Sequence, residues 1–78
     1  MSKLPAVDGK TAIAIFESFG FVVDRVRGSH HTMKKPGHPE NVVVAMHGSK
    51  PIPTGTLRSM IRAAGITVED FKEAVQNH

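Results

Sequence analysis

The chain has 78 residues, so we expect a single domain spanning residues 1–78 with one small core. It contains no cysteine, which excludes disulfides and thiolate metal sites. The first ten residues lack the apolar stretch of a signal peptide, and the longest apolar run, Val42 to Met46, is too short to cross a bilayer. We therefore expect a cytoplasmic protein that does not bind membranes.

Charge is segregated along the chain. The net charge is +3, but residues 25–62 carry seven lysines and arginines against Glu40 alone, a net of +6. The rest of the chain carries three lysines against six acidic residues, a net of −3. A basic middle between acidic ends is typical of a surface that binds a polyanion. A solvated basic surface without a ligand is the alternative.

The first predicted element is a helix over Gly9–Phe19. Asp8 is placed to cap it, and Gly20 supplies a left-handed stop. One apolar stripe recurs at helical spacing and consists of Ala12, Ile13, Phe16 and Phe19.

Three strands follow. Phe21–Arg27 is rich in β-branched residues, and Gly28-Ser29 is a two-residue turn of the kind that joins antiparallel strands. A second strand is expected over His30–Lys35 and a third over Asn41–Met46. The intervening segment, residues 36–40, is a loop because two prolines and a glycine cannot continue a ladder.

Two helices complete the chain. Thr54 is expected to cap a helix that runs to Ala64 and ends at Gly65, and Thr67 opens a last helix with a capping-box pattern. The buried positions expected in these helices are Leu57, Met60, Ile61, Ala64, Phe71 and Val75. The order α-β-β-β-α-α predicts an α+β fold like that of the double-stranded-RNA-binding domain, with a three-stranded antiparallel sheet and helices on one face.

The two-residue turn predicts which side chains share a face of the sheet. Residues flanking such a turn pair and point to the same side, so Arg27 is expected beside His30. By alternation, one face carries Arg25, Arg27, His30, Thr32 and Lys34. His31 and Met33 are then expected to point toward Val26 and the helices.

An exposed histidine among cations suits the cleavage of RNA. Imidazole has an unperturbed pKa near neutrality and can transfer protons in either direction, so His30 is the candidate catalytic residue. Arg27 and Lys34 are the nearest groups that could stabilise a charged phosphorane. The further candidate RNA-binding residues are Arg25, Lys50, Arg58 and Arg62.

These residues allow other interpretations. From the spacing of residues alone, an ordinary surface histidine in a strand is the simpler interpretation of His30. Zinc binding by His30, His31, His38 and His47 is disfavoured, because adjacent histidines of a strand face opposite sides and no cysteine is present. We therefore expect no metal or cofactor. His47 could be a second proton-transfer group, residues 48–50 are only a weak phosphate-binding pattern, and Ser29 lacks a nearby acidic residue for a catalytic triad.

The order of several short motifs resembles the HicA toxins, also called the YcfA-like family, over nearly the whole chain. The matching segments are Lys3-Leu4-Pro5, Phe19-Gly20-Phe21, Arg25-Val26-Arg27-Gly28-Ser29-His30-His31, His47-Gly48-Ser49-Lys50, Pro53-Thr54-Gly55-Thr56-Leu57-Arg58-Ser59-Met60-Ile61-Arg62 and residues 64–71. Relatives often end the third strand with Pro-Val-His, where this chain has Ala45-Met46-His47.

The resemblance implies a ribosome-independent endoribonuclease that cuts mRNA, and a cognate antitoxin, HicB, that covers the active site. The family's catalytic histidine follows Gly-Ser or Gly-Gly, which corresponds to His30. We expect the free toxin to be a monomer. Two other functions remain open: an RNA-binding module that does not cleave, and a structural subunit that docks an acidic partner. The acid or base role of His30, and any help from His47, also remain open.

Overall fold

A computed structural model describes residues 3–78. The elements in chain order are α1 (Gly9–Ser18), β1 (Val22–Arg27), β2 (His30–Lys34), β3 (Val42–Ala45), α2 (Thr54–Ala64) and α3 (Val68–Gln76). The strands form one antiparallel sheet in the order β1-β2-β3. The predicted α+β fold, with helices on one face of a three-stranded sheet, is confirmed.

Helix α1 begins and ends as its sequence predicts, to within one residue. The Asp8 carboxylate accepts a hydrogen bond from the Thr11 N–H at 2.8 Å, which satisfies one of the free donors of the first turn. At the other end, the Phe21 N–H donates to the Phe16 carbonyl at 3.2 Å, and Gly20 has a φ of 96°. This closure places the Phe21 ring 6.2 Å from the Phe16 ring, so the end of the helix is tied to the core.

The buried face of α1 is not the expected stripe. Ala12 and Phe16 are buried as predicted, but Ile15 is also fully buried while Ile13 and Phe19 are only half-buried. The reason is that α1 contacts both β3 and α3, so its apolar surface is turned toward two neighbours and is wider than one stripe.

Helix α2 has the predicted length and buried face, but the prediction that Thr54 caps it is wrong. The cap position is Pro53, with extended backbone at φ −55° and ψ 141°, and no side chain caps the first turn. Thr54 is already the first helical residue, and a capping side chain must come from a residue with non-helical backbone. The helix ends at Gly65, whose φ of 73° is left-handed.

Helix α3 opens with the predicted capping box. The Asp70 N–H donates to the Thr67 hydroxyl oxygen at 2.9 Å, and the Thr67 N–H donates to the Asp70 carboxylate at 3.2 Å. Phe71, one turn further on, is fully buried against Phe16, with ring centroids 5.6 Å apart. Val75 is half-buried beside the core.

The core lies between the helices and strands β2 and β3. Its largest fully buried side chains are Phe16, Phe21, Phe71, Ile15, Met33, Leu57, Val42 and Val44. Strand β1 contributes no buried residue. We call the side of the sheet that bears the helices the inner face and the opposite side the outer face.

The helices that the structure describes in residues 3–78 include none with the length and apolar character needed to cross a membrane.

Candidate functional site

A tight turn positions the candidate catalytic histidine. Gly28 has a φ of 58°, and no non-glycine residue between 3 and 78 has positive φ, which is the pattern of a type II′ turn with glycine at its first central position. The turn joins β1 to β2, so Arg27 pairs directly with His30. The predicted juxtaposition of these two side chains is therefore present.

The outer face gathers four of the predicted site residues. Arg25 pairs with Thr32, Arg27 pairs with His30, and Lys34 follows Thr32 on the same side of β2. His30 and the three cations are exposed. On the other side of β2, His30 pairs with Ala45 and Thr32 with Val43, so β3 contributes small or apolar groups to this face.

A β-bulge in β1 alters the site in a way that alternation does not reveal. The register shifts between Val23 and Arg25, leaving Asp24 as an extra residue, and Val22 pairs with Lys34. A carboxylate oxygen of Asp24 lies 3.4 Å from the Lys34 ammonium. The outer face therefore includes an acidic residue next to one of its cations.

The bulge changes the electrostatics of the face. Arg25, Arg27 and Lys34 against Asp24 leave a net charge of +2, with His30 counted as neutral. The side chains of Lys34 and Asp24 are 54% and 43% exposed, so water screens the pair and Lys34 can exchange partners at little cost. The two arginines lie between the bulge and the turn, so both are closer to His30 along the ladder than Lys34 is.

The histidine adjacent to His30 has a different environment. His31 pairs with Val44, which is fully buried, and its ring therefore lies on the inner face. Its Nδ1 atom is buried and has no hydrogen-bond partner among the described residues. Two consecutive histidines are thus separated by the strand, one in solvent and one against the core.

His38 has a structural role that its sequence position did not indicate. Its Nε2 atom donates a hydrogen bond to the Ala63 carbonyl at 2.7 Å, and its ring packs edge-on against Phe21 at a centroid distance of 5.4 Å. The ring connects the β2–β3 loop to the end of α2. No local pattern could have predicted it, because the partners are 25 residues apart.

His47 and Lys50 lie at the end of β3 near the turn. The Met46 N–H donates to the Ser29 carbonyl at 2.7 Å, which extends the ladder past Ala45 and brings His47 to the same end of the sheet as His30. Both residues line a cleft of about 270 Å³ between this end of β3 and the start of α2. The structure therefore places Lys50 in the connection between β3 and α2, near the end of the sheet that carries His30 and not on a strand.

Arg58 and Arg62 lie in the other layer of the molecule. Both are exposed on α2, which packs on the inner face of the sheet through Leu57, Met60 and Ile61. They border a shallow cleft that also includes Ile66 and Val68. The structure does not bring these two arginines together with His30.

Within residues 3–78, no three histidine, aspartate or glutamate side chains are grouped closely enough to hold a metal ion. Asp8 has a pKa below its ordinary value, because the Thr11 N–H stabilises the ionised carboxylate. That residue caps α1 and lies outside the outer face.

Comparison with known proteins assigns the family. A family model described as the HicA toxin of bacterial toxin–antitoxin systems matches residues 9–66, well over half of the chain. The chain belongs to the HicA toxin family. No curated protein matches it. The HicA match includes α1, the whole sheet and α2, and so spans the turn, His30 and the cleft at the end of β3.

Membership of the HicA family identifies the chain as the toxin of a toxin–antitoxin system and implies a cognate antitoxin.

Proposed function

We propose that this HicA toxin is an endoribonuclease that cuts mRNA in the cytoplasm without a metal ion or the ribosome, and that His30 is its catalytic residue. The observation that supports the proposal is the exposed His30 ring paired with Arg27 on the outer face. The resemblance of Gly28-Ser29-His30 to the family's catalytic motif supports the same residue.

The outer face holds the groups that RNA cleavage needs. In this reaction the 2′-hydroxyl attacks the adjacent phosphorus, a bond forms between them, and the bond to the 5′-oxygen breaks. One proton leaves the 2′-hydroxyl and one is delivered to the departing oxygen, and His30 carries out at least one of these transfers. Arg27 stabilises the extra negative charge on the phosphorane.

The remaining cations hold the strand. Arg25 and Lys34 lie along the same face on the side of His30 away from the turn, so each can bind a backbone phosphate on that side of the scissile one. Lys50, beside the end of β3, extends this track. Arg58 and Arg62 would contact RNA only if the strand continued around to the helical layer.

The test is cleavage of single-stranded RNA in the presence of EDTA. We expect His30→Gln to reduce the cleavage rate by about a hundredfold or more, in line with the loss of a positioned acid–base group. The matched control is His31→Gln, a change of the same kind on the opposite side of the same strand.

Three outcomes would contradict the proposal. Equal cleavage rates for wild type and His30→Gln would remove His30 from the mechanism. Cleavage by wild type that occurs without EDTA and stops when EDTA is added would show a metal requirement. Salt-dependent RNA binding by wild type with no change in RNA length over hours would instead indicate an RNA-binding module that does not cleave.

A further inference from the structure

The inner face of β1 extends beyond the helices. Val23 pairs with Met33 and Val26 pairs with His31, so both valines lie on the inner face. Met33 is fully buried, but Val23 and Val26 are 36% and 57% exposed. We call these two valines the β1 overhang.

The overhang is apolar surface that the fold itself does not use. Val42 and Val44, at the opposite edge of the same face, are 1% and 0% exposed because α1 and α2 cover them. In the described residues the exposed large hydrophobic side chains are Val22, Val23, Val26 and Val43, and three of the four belong to β1. Of these, Val23 and Val26 occupy consecutive inner-face positions of the uncovered edge, where a protein partner could bury both.

The same strand carries cations on its other side. Arg25 and Arg27 lie on the outer face directly across the backbone from the overhang. A partner that encloses the edge of β1 therefore meets valines on one side and guanidinium groups on the other. Apolar and acidic side chains are the complement of this strand.

A second copy of the chain does not fit this description. Two β1 strands paired edge to edge would place arginines of both copies on the same face, and like charges on neighbouring strands destabilise a sheet. RNA fits the overhang less well, because its charged backbone binds cations and its unpaired bases stack on flat aromatic rings, which two valine side chains do not provide. The cognate antitoxin implied by the family remains as the partner.

We propose that the antitoxin encloses the β1 edge, with apolar side chains on Val23 and Val26 and carboxylates on Arg25 and Arg27. This inference rests on membership of the toxin family and not on the chemistry of His30. RNA and antitoxin then share the two arginines, but only the antitoxin contacts the overhang.

The test separates the two ligands with substitutions in the overhang. Val26→Asp is expected to weaken binding of purified cognate antitoxin about tenfold or more, because it puts a carboxylate into an apolar contact. Val26→Thr keeps the β-branched shape that strands favour, and is expected to weaken binding by a smaller factor without disturbing the fold. RNA cleavage by either free variant should stay within about twofold of wild type.

The matched control is Val22→Asp. Val22 is in the same strand and has the same exposed fraction as Val26, 57%, but the bulge places it on the outer face opposite Lys34. Its antitoxin affinity should fall less than that of Val26→Asp. Binding would be measured by titration calorimetry with the full-length chains, and folding by thermal denaturation.

Any of the following three results would overturn the inference. If both Val26 variants bind the antitoxin as tightly as wild type, the overhang is not in the interface. If wild type forms a dimer that Val26→Asp dissociates, the occupant is a second copy. If Val26→Thr loses cleavage but keeps antitoxin binding, the overhang belongs to the RNA site. A failure of the His30 proposal would leave the affinity measurements unaffected.

Discussion

The two faces of the sheet are built from the same three strands and have opposite properties. On the inner face, Met33, Val42 and Val44 are fully or almost fully buried under the helices. On the outer face, at neighbouring positions of the same strands, His30, Thr32 and Val43 are partly or well exposed. Consecutive residues of a strand thus differ in role: one side chain packs in the core and stabilises the fold, and the next is exposed and can bind a ligand.

This difference is useful because most of its consequences can be tested one residue at a time. A substitution on the part of the inner face that the helices cover should change the free energy of unfolding and leave the chemistry intact, and one on the outer face should do the reverse. The His30 and His31 variants described above are the most direct comparison, and four further measurements sharpen it.

The largest remaining effect is expected on stability, from His31→Ala. We expect the free energy of unfolding to fall by about 1–2 kcal/mol, because the substitution removes the packing of the ring beside Val44. The loss is no larger because the buried Nδ1 atom has no hydrogen bond to lose. Denaturant unfolding checks this value. Loss of RNA cleavage by a variant that remains fully folded would show that the inner face also takes part in the chemistry.

Arg27→Gln should affect RNA binding and leave stability unchanged. Removing one phosphate contact is expected to lower the slope of log affinity against log salt by about 0.7 for single-stranded RNA. Arg62→Gln, the same substitution in the helical layer, should leave the slope unchanged if RNA stays on the outer face. Equal changes in both variants would mean that the strand reaches around to α2.

Asp24→Asn should strengthen RNA binding. The substitution removes the carboxylate that lies 3.4 Å from the Lys34 ammonium and leaves that cation free for a phosphate. Because the pair is exposed, we expect only about a twofold to fivefold gain in affinity at low salt. The gain should vanish in the double variant Asp24→Asn with Lys34→Gln; if it persists there, Asp24 acts on RNA by simple repulsion and not through Lys34.

The smallest effect concerns acid stability of the helical layer. The Asp8 carboxyl has a pKa below its ordinary value of 3.8 in the folded protein, so its cap stabilises α1 at neutral pH and this contribution is lost as the pH falls through the lowered pKa. Asp8→Asn keeps a capping side chain that does not titrate. The midpoint of thermal unfolding should therefore fall less for this variant than for wild type between pH 7 and about pH 3; parallel curves would exclude Asp8 as a cause.

Sequence patterns predicted most of the fold because its signals are local. The Asp8 cap, the Gly28-Ser29 turn and the Thr67 capping box each involve residues within three or four positions of one another. The pairing of Arg27 with His30 follows from the turn alone. The part of the outer face next to the turn, from Arg25 to Thr32, was therefore predictable to the level of individual residues.

The features that were missed depend on contacts between distant segments. The bulge at Asp24 follows the pairing of Val23 with the buried Met33. No pattern in the β1 sequence predicts this pairing. The full burial of Ile15 reflects two neighbours packed on one helix. The separation of Arg58 and Arg62 from His30 required the placement of α2 relative to the sheet, which periodicity within a helix does not determine.

The hydrogen bond between His38 and Ala63 has a consequence for how the toxin is controlled. It holds the β2–β3 loop at its middle, and the ring also packs on Phe21, so this loop is poorly suited to swing across the sheet as a lid. Access to His30 is then not gated by this part of the chain. With His30 as the catalytic residue proposed above, dissociation of the antitoxin would leave that residue accessible without any refolding of the β2–β3 loop.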